Sequence, residues 1–402
     1  MREPEPGEEL KRQVERDLQV RCFDDAEMSN RLQRAQEGLA RDRLDVLVVS
    51  DEANVVYFTG MATPSFVTRS RPLVVVVPLE GSPLLICSRS QSANARAASW
   101  IQDIRSFEGF EREAIDELIG SLVGLVSAGS RVGCELGGEL RVGMSVLAFL
   151  RLEAAFPEAV FCDASTTIWA LRAIKSTAER DLMRRAGVIN ASAFDQALTS
   201  VRIGSTERDV ARAWSSALVD LGADRPGYLA VHSGPGNYRR VSGSARDRHL
   251  APGDLIWLDG GATFRGYWSD VTRMAAIGEP RPDDQRRYAF SWAVIRALIG
   301  FVRPGRTAGD IARRSSEIFR DAGYPMGQSA RIGHGLGMEL TEPPSVVDGD
   351  ETVLYPGMTV SLETGVASWD GYFVLEDNIV VTESRAEMLS VAARPELPTV
   401  EV

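Results

Sequence analysis

Histidine and cysteine are scarce in this chain of 402 residues, which has three histidines, His232, His249 and His334, and four cysteines, Cys22, Cys87, Cys134 and Cys162. The cysteines all fall in the first half with no CxxC spacing, so a thiolate metal site or one needing several imidazoles is excluded. They read as buried structural thiols of a reducing compartment, which predicts a cytoplasmic setting. An excess of positive charge is also missing. The 45 Lys+Arg against 56 Asp+Glu give a net charge of -11, the wrong sign for a partner built on a phosphate backbone, so nucleic acid is not expected. No apolar run approaches the roughly 20 residues of a membrane span, and the charged start at Met1 to Glu9 does not fit a signal peptide. What is present is ordinary globular composition, 44% hydrophobic and 25% charged, in a chain long enough for roughly two to three domains.

Residues 1–30 are polar and charged and read as an N-terminal arm or a short peripheral helix. A helical stretch from Asn30 to Arg41 then leads to the apolar strand Val46 to Ser50, and Leu73 to Val77 with Leu84 to Cys87 predict a hairpin across Glu80 to Pro83. Helices near Ala114 to Val126 and Val146 to Ala155, with a strand at Val132 to Glu135, complete an α/β domain over residues 31–168. The pair Ser176 and Glu179 forms a capping box, followed by Leu182, Ala186, Ile189 and Ala193 at helical spacing. It opens a second domain over residues 172–402, with the linker at about 165–175.

The second domain repeats itself. Val201 to Arg212 matches Val302 to Arg313 at an offset of 101, with seven of twelve positions identical, and each copy reads as a turn, an N-cap threonine and a helix. Further on, Pro252-Gly253 and Leu258-Asp259 align with Pro356-Gly357 and Leu362-Glu363 at an offset of 104. A turn follows each acid, then a returning strand carries a second one, Asp270 or Glu376. Two α-plus-hairpin halves facing each other account for this pattern.

A strand carrying an acid, a Gly-rich turn and a returning strand carrying another acid can set two carboxylates side by side, and duplication brings four together. One Asp on one strand reads as a turn or surface residue. Asp259, Asp270, Glu363 and Glu376, all in apolar strand context, would repel one another at great cost unless cations neutralise them. An oxygen-rich set with one imidazole suits a pair of divalent ions, Mn, Fe, Co or Zn, with bridging carboxylates. The imidazole is His334 in Gly333-His334-Gly335-Leu336-Gly337, a run that lacks the strand and Lys-Ser/Thr context of a phosphate loop.

These residues resemble the creatinase/prolidase/aminopeptidase P family, whose pita-bread fold is a pseudo-twofold α/β catalytic domain behind a creatinase-like N-terminal α/β domain. The resemblance covers roughly residues 35 to 390. It rests on Leu258-Asp259 with Asp270, on Gly333-His334-Gly335-Leu336-Gly337 with Glu342-Pro343, on Pro356-Gly357-Met358 before Glu363, and on Glu376-Asp377. Val55 to Gly60 and Leu171 to Ser176 are also similar. The resemblance implies that Asp270 and Glu376 bridge two divalent metals, that Asp259 completes one, and that His334 and Glu363 complete the other. It further implies a metal-bridging hydroxide as nucleophile, Glu363 as proton shuttle, a short-peptide or other small-molecule substrate, and a homodimer.

Three positions depart from the family's peptidases. Thr341 stands seven residues after His334 where they keep a histidine, Ser242 stands where another precedes the first ligand Asp, and Val374 replaces an arginine before Glu376. The metal core is retained while the shell that touches substrate is altered. The function this predicts is a dinuclear-metal hydrolase of a small amide or Xaa-Pro-like dipeptide. Ectoine hydrolase, creatinase and an iron-dependent dimethylsulfoniopropionate lyase mark out the alternative of a specialised member, and a non-catalytic binding module is the remaining one. For the substrate and transition state, the candidates are His232, Arg239, Arg240, Ser242 and Thr341. His232, near the repeat counterpart of His334, can take a catalytic or contact role or simply fill a strand end, and the Arg239-Arg240 pair can bind a carboxylate or form a solvated loop. His249 reads as a loop residue, and Trp257 and Trp268 as packing.

Overall fold

Valine dominates the first strands because a sheet covered on both sides selects β-branched side chains. In the computed structural model, which describes residues 22–241, 243–327 and 331–401, the chain divides into two units, Met1–Arg172 and Ala173–Val402. The first is a six-stranded sheet ordered β4-β3-β2-β1-β5-β6. Its strands are β1 (Val46–Val49), β2 (Val74–Pro78), β3 (Leu84–Ser88), β4 (Asp103–Phe107), β5 (Arg131–Cys134) and β6 (Val160–Asp163), and β2 and β3 form the expected antiparallel hairpin. Around the sheet lie α1 (Asp25–Asp42), α2 (Glu52–Thr59), α3 (Ser92–Ala98), α4 (Glu111–Leu122), α5 (Val146–Ala154) and α6 (Ser165–Ala173). Residues 1–21 of the expected arm lie outside the described residues, but α1 begins at Asp25 because Asp24 caps it, accepting from Glu27 N. The last residues of the 1–30 segment are thus the start of a helix. The segment expected as a linker, about 165–175, is mostly the helix α6.

In the second unit, the capping box of Ser176 and Glu179 starts α7 (Thr177–Thr199). Thr206 caps α8 (Glu207–Asp220) and its repeat counterpart Thr307 caps α10 (Ala308–Ala322), each paired with an aspartate three residues on. Between them runs α9 (Pro282–Phe301). The strands are β7 (Arg225–Ser233), β8 (Leu255–Phe264), β9 (Tyr267–Ile277), β10 (Gly333–Gly335), β11 (Glu342–Ser345), β12 (Thr359–Ser368), β13 (Gly371–Val381), β14 (Ala386–Met388) and β15 (Thr399–Val400). They form a sheet β15-β9-β8-β7 and a sheet β11-β10-β12-β13-β14.

The duplication extends to the helix contacts that seat each hairpin. Asn190 of α7 donates from Nδ2 to the Gly260 carbonyl of β8 at 2.9 Å. Its counterpart at an offset of 101, Ser291 of α9, donates to the Phe373 carbonyl of β13 and accepts from Val366 N. Gly261 and Gly365 are also counterparts, at an offset of 104. A Cβ at either would overlap the carbonyl of the facing strand, Ser269 or Phe373, so only glycine lets each hairpin pinch beside its acids. The C-terminal segment ties the halves together, pairing with β13 through β14 and reaching β9 through the Ala276 N to Pro398 O bond and β15.

Candidate metal centre

Strand alternation sets which side chains share a face, and it gathers the acids. Asp259 on β8 and Asp270 on β9 are diagonal neighbours, since Asp259 faces Thr272 and Asp270 faces Gly261. Glu363 on β12 faces Glu376 on β13 directly. The two acid pairs are therefore not in duplicated register. At the offset of 104, Glu376 is the counterpart of Thr272, and Asp270 that of Val374. The turn contents disguised this, because each half does carry one acid per strand.

Asp270, His334 and Glu376 bring ligand atoms within 4.8 Å of one another, all three buried. His334 Nε2 lies 3.6 Å from Asp270 Oδ2 and 3.9 Å from Glu376 Oε1. On the other side of the ring, Nδ1 is 2.9 Å from the Gly335 carbonyl. A carbonyl can only accept, so Nδ1 carries the proton and Nε2 presents its lone pair to the acids. The Thr272 hydroxyl lies 2.9 Å from both Asp259 Oδ1 and Glu376 Oε2, placing Asp259 against the same cluster.

Burial first, and then the neighbouring acids, push the Asp259 and Asp270 carboxyls well above the ordinary range. The Glu363 carboxyl is pushed up to about 8, by burial and then by Glu376, with the Arg331 guanidinium acting against both. Asp270 Oδ1 is buried with no hydrogen-bond partner. An orphaned carboxylate oxygen beside an imidazole lone pair and three further acids is a donor set that wants cations and offers nothing else to satisfy it. The residues fit a bound metal ion.

Behind these acids and His334 lies a layer of polar groups that sequence reasoning missed. The Ser361 hydroxyl donates to Glu376 Oε1 at 2.5 Å, and Asn378 Nδ2 donates to Ser361 Oγ at 3.0 Å. Asn378 also brackets the Asp270 backbone, accepting from its N–H through Oδ1 and donating to its carbonyl. Arg273 bonds the Glu376 carbonyl and makes a buried ion pair with Asp377 at 2.6 Å, so β9 and β13 are clamped beside Asp270 and Glu376. Lys175 and Glu342 form a second buried pair at 2.8 Å, and Glu342 also accepts from Met338 N and Glu339 N, fixing the turn after His334. Adjacency to the ligands was the available signal for Ser361, Arg273 and Asn378. Ser361→Ala is expected to weaken metal binding by about 10- to 100-fold while leaving the fold intact, as read by calorimetric titration with Mn2+ alongside circular dichroism.

The remaining candidates fall outside the ligand cluster. Thr341 accepts from Arg331 Nη2 at 3.2 Å. Arg239 spends its guanidinium on the carbonyls of Ser368 and Trp369. His232 is fully buried at the end of β7, stacked on Trp257 with ring centroids 5.5 Å apart, and Arg240 is half-buried on the following loop. His249 is a loop residue held by Gly204 O at 2.8 Å from Nδ1. Ser242 lies outside the described residues.

The chain matches the model of metallopeptidase family M24 over residues 181–383 and that of the creatinase/prolidase N-terminal domain over residues 31–174. It is 28% identical over 371 residues to a probable dipeptidase PepE of Mycobacterium tuberculosis, covering 91% of this chain and 95% of that one. To an Xaa-Pro dipeptidase of Lactobacillus delbrueckii subsp. lactis it is 27% identical over 337 residues, covering 83% and 89%. Among solved structures, dipeptidase PepE from Mycobacterium ulcerans is similar with a TM-score of 0.80 at 27% identity, over 94% of this chain and 100% of that one. The prolidase of Thermococcus sibiricus shares the fold with a TM-score of 0.82 at 22% identity, over 94% and 99%. With its acids and His334 on the strands of a duplicated α/β domain, the chain belongs to metallopeptidase family M24.

Proposed function

We propose that this protein hydrolyses a C–N bond in a small, dipeptide-like substrate, with two divalent cations held by Asp259, Asp270, His334, Glu363 and Glu376. The observation that carries the reading is the buried Asp270 Oδ1, which has no partner within a cluster of four acids. When bound, the cations supply an activated water and polarise the scissile carbonyl. His334 holds its Nε2 lone pair inward through the Nδ1 bond to Gly335. Glu363 takes a proton from the attacking water and hands it to the leaving nitrogen, a role suited to a carboxyl pushed up to about 8. The relatives named dipeptidase and Xaa-Pro dipeptidase support a dipeptide as substrate class.

Thr341 supports a second reading, a non-peptide amide or imide, because its hydroxyl bonds Arg331 where the family's peptidases present an imidazole. The test is turnover of Xaa-Pro dipeptides, other dipeptides and small cyclic amides before and after chelator treatment, in heavy-oxygen water. Activity lost on stripping and restored by Mn2+, Fe2+, Co2+ or Zn2+, with one solvent oxygen in the product, is the expected result. Turnover that survives stripping overturns the metal assignment, and product without label indicates an elimination. The reading includes a cytoplasmic setting and a homodimer, the second of which sedimentation of the purified protein checks.

A further inference from the structure

The pseudo-twofold gives His334 a mate. His334 on β10 faces Ser361 of β12, and His232 on β7 faces Trp257 of β8. Trp257 and Ser361 are repeat counterparts at the offset of 104 that relates Asp259 to Glu363. Each histidine is thus opposite the residue two places before an acid, on the acid's own face of the sheet. His334 meets Asp270 and Glu376, whereas His232 has no acid bonded to it.

Both ring nitrogens of His232 are buried without a hydrogen-bond partner, and so are Trp257 Nε1 and Arg240 Nη1. These groups are neighbours. The His232 and Trp257 rings stack, and a Cβ on Gly243 would sit 3.0 Å from His232 Cε1 and 2.7 Å from Arg240 Nη2. The bond from the Arg240 guanidinium to Ser244 O is long at 3.5 Å. The Trp257 indole and the Arg240 guanidinium can only donate, and a neutral imidazole adds one donor and one acceptor. Burial, and then Arg240, hold the His232 ring well below its usual value, at about 4, so it stays neutral. Clustered buried donors that outnumber the acceptors beside them mark a place for an anion that the protein itself does not provide.

We propose that His232, Trp257 and Arg240 form a subsite for the carboxylate of the substrate, flanking the metal centre from the half opposite His334. The proposal rests on the dipeptide-hydrolase reading and adds how that substrate is oriented. One side-chain step along a strand face is about 7 Å, and an extended dipeptide spans about the same. A carboxylate beside His232 therefore brings the far end of the dipeptide to the level of Asp259, with the peptide bond between them. The altered positions Ser242 and Thr341 need not recognise this group, because His232 and Arg240 do.

With three histidines in the chain, long-range proton–nitrogen NMR of 15N-histidine-labelled, Zn2+-loaded protein reads His232 directly. The probes are L-proline, L-alanine and acetate against prolinamide, alaninamide and acetamide. The expected result is that at least one acid moves the His232 ring nitrogens while its amide does not and His249 stays fixed. Arg240→Gln should then raise the apparent Kd of that acid about tenfold or more. His232 signals unmoved by every acid, or moved equally by the amides, overturn the proposal and leave the orphaned donors to buried water. Because binding is read without turnover, failure here is distinguishable from failure of the hydrolase reading, which appears as absent metal-dependent cleavage.

Discussion

Replacing Glu363 with glutamine is expected to lower kcat on a cleavable dipeptide by about 10²- to 10⁴-fold, the loss that follows removal of a positioned proton carrier. Glutamine keeps the length of the side chain and a carbonyl oxygen for the cation, but it can neither accept the water's proton nor return one to the leaving nitrogen. Glu363 faces Glu376 across the β12–β13 ladder, and that neighbour contributes to holding its carboxyl at about 8. Removing its charge should therefore relieve repulsion, so the metal-free variant is expected to melt above the metal-free parent. The check is kcat at saturating Mn2+ with metal content measured on the same sample. Loss of activity at full metal occupancy supports proton transfer, loss that tracks occupancy reduces Glu363 to a ligand, and an unchanged kcat removes it from the reaction.

Much of this site was legible because each half announces it locally. Asp259 and Glu363 follow the same Pro-Gly and apolar-strand pattern, and Thr206 and Thr307 cap helices in both copies. A local pattern specifies strands and helix starts without specifying how a hairpin is registered. Equivalence of Asp270 with Glu376 looked natural because each returning strand carries one acid, yet the offset of 104 that relates Asp259 to Glu363 already makes Thr272 the counterpart of Glu376, and the pairing agrees. The supporting layer was hidden for a different reason. Lys175 and Glu342 are 167 residues apart, and Arg273 and Asp377 are 104 apart. In sequence they are ordinary charges, and only tertiary folding turns them into buried pairs, where losing one partner costs about 3 to 5 kcal/mol. His232 was ambiguous for the same reason, since a strand-end histidine is distinguished only by what its ring nitrogens lack.

Protein stripped of divalent metal is expected to lose stability as the pH rises from about 6.5 to 8, and the sign follows from which state binds more protons. Glu363 holds its carboxyl at about 8 when folded against roughly 4.3 when unfolded, and Asp259 and Asp270 are shifted in the same direction. Between those values the folded state keeps protons that the unfolded chain has released. This contribution is complete below the unfolded value and disappears as the pH rises through the folded one, at up to about 1.4 kcal/mol per pH unit for each carboxyl. His232 opposes it at lower pH. Held at about 4 when folded against roughly 6.5 unfolded, it contributes stability above 6.5 that is lost on acidification, so the acids act without it only above 6.5. Glu135, buried on the first unit and pushed up to about 7, has the same sign as the cluster. A Glu135→Gln background therefore isolates the metal centre. Cations bind the deprotonated acids and release their protons, so the gain in Tm on adding Mn2+ should grow over the same interval. Asp270→Asn, which removes one of the repelling charges, should flatten the slope of the stripped protein. A stripped protein whose Tm is level or rises from pH 6.5 to 8 would show that these carboxyls are ionised and paired by protein groups, and the case for a cation-binding cluster would fall with it.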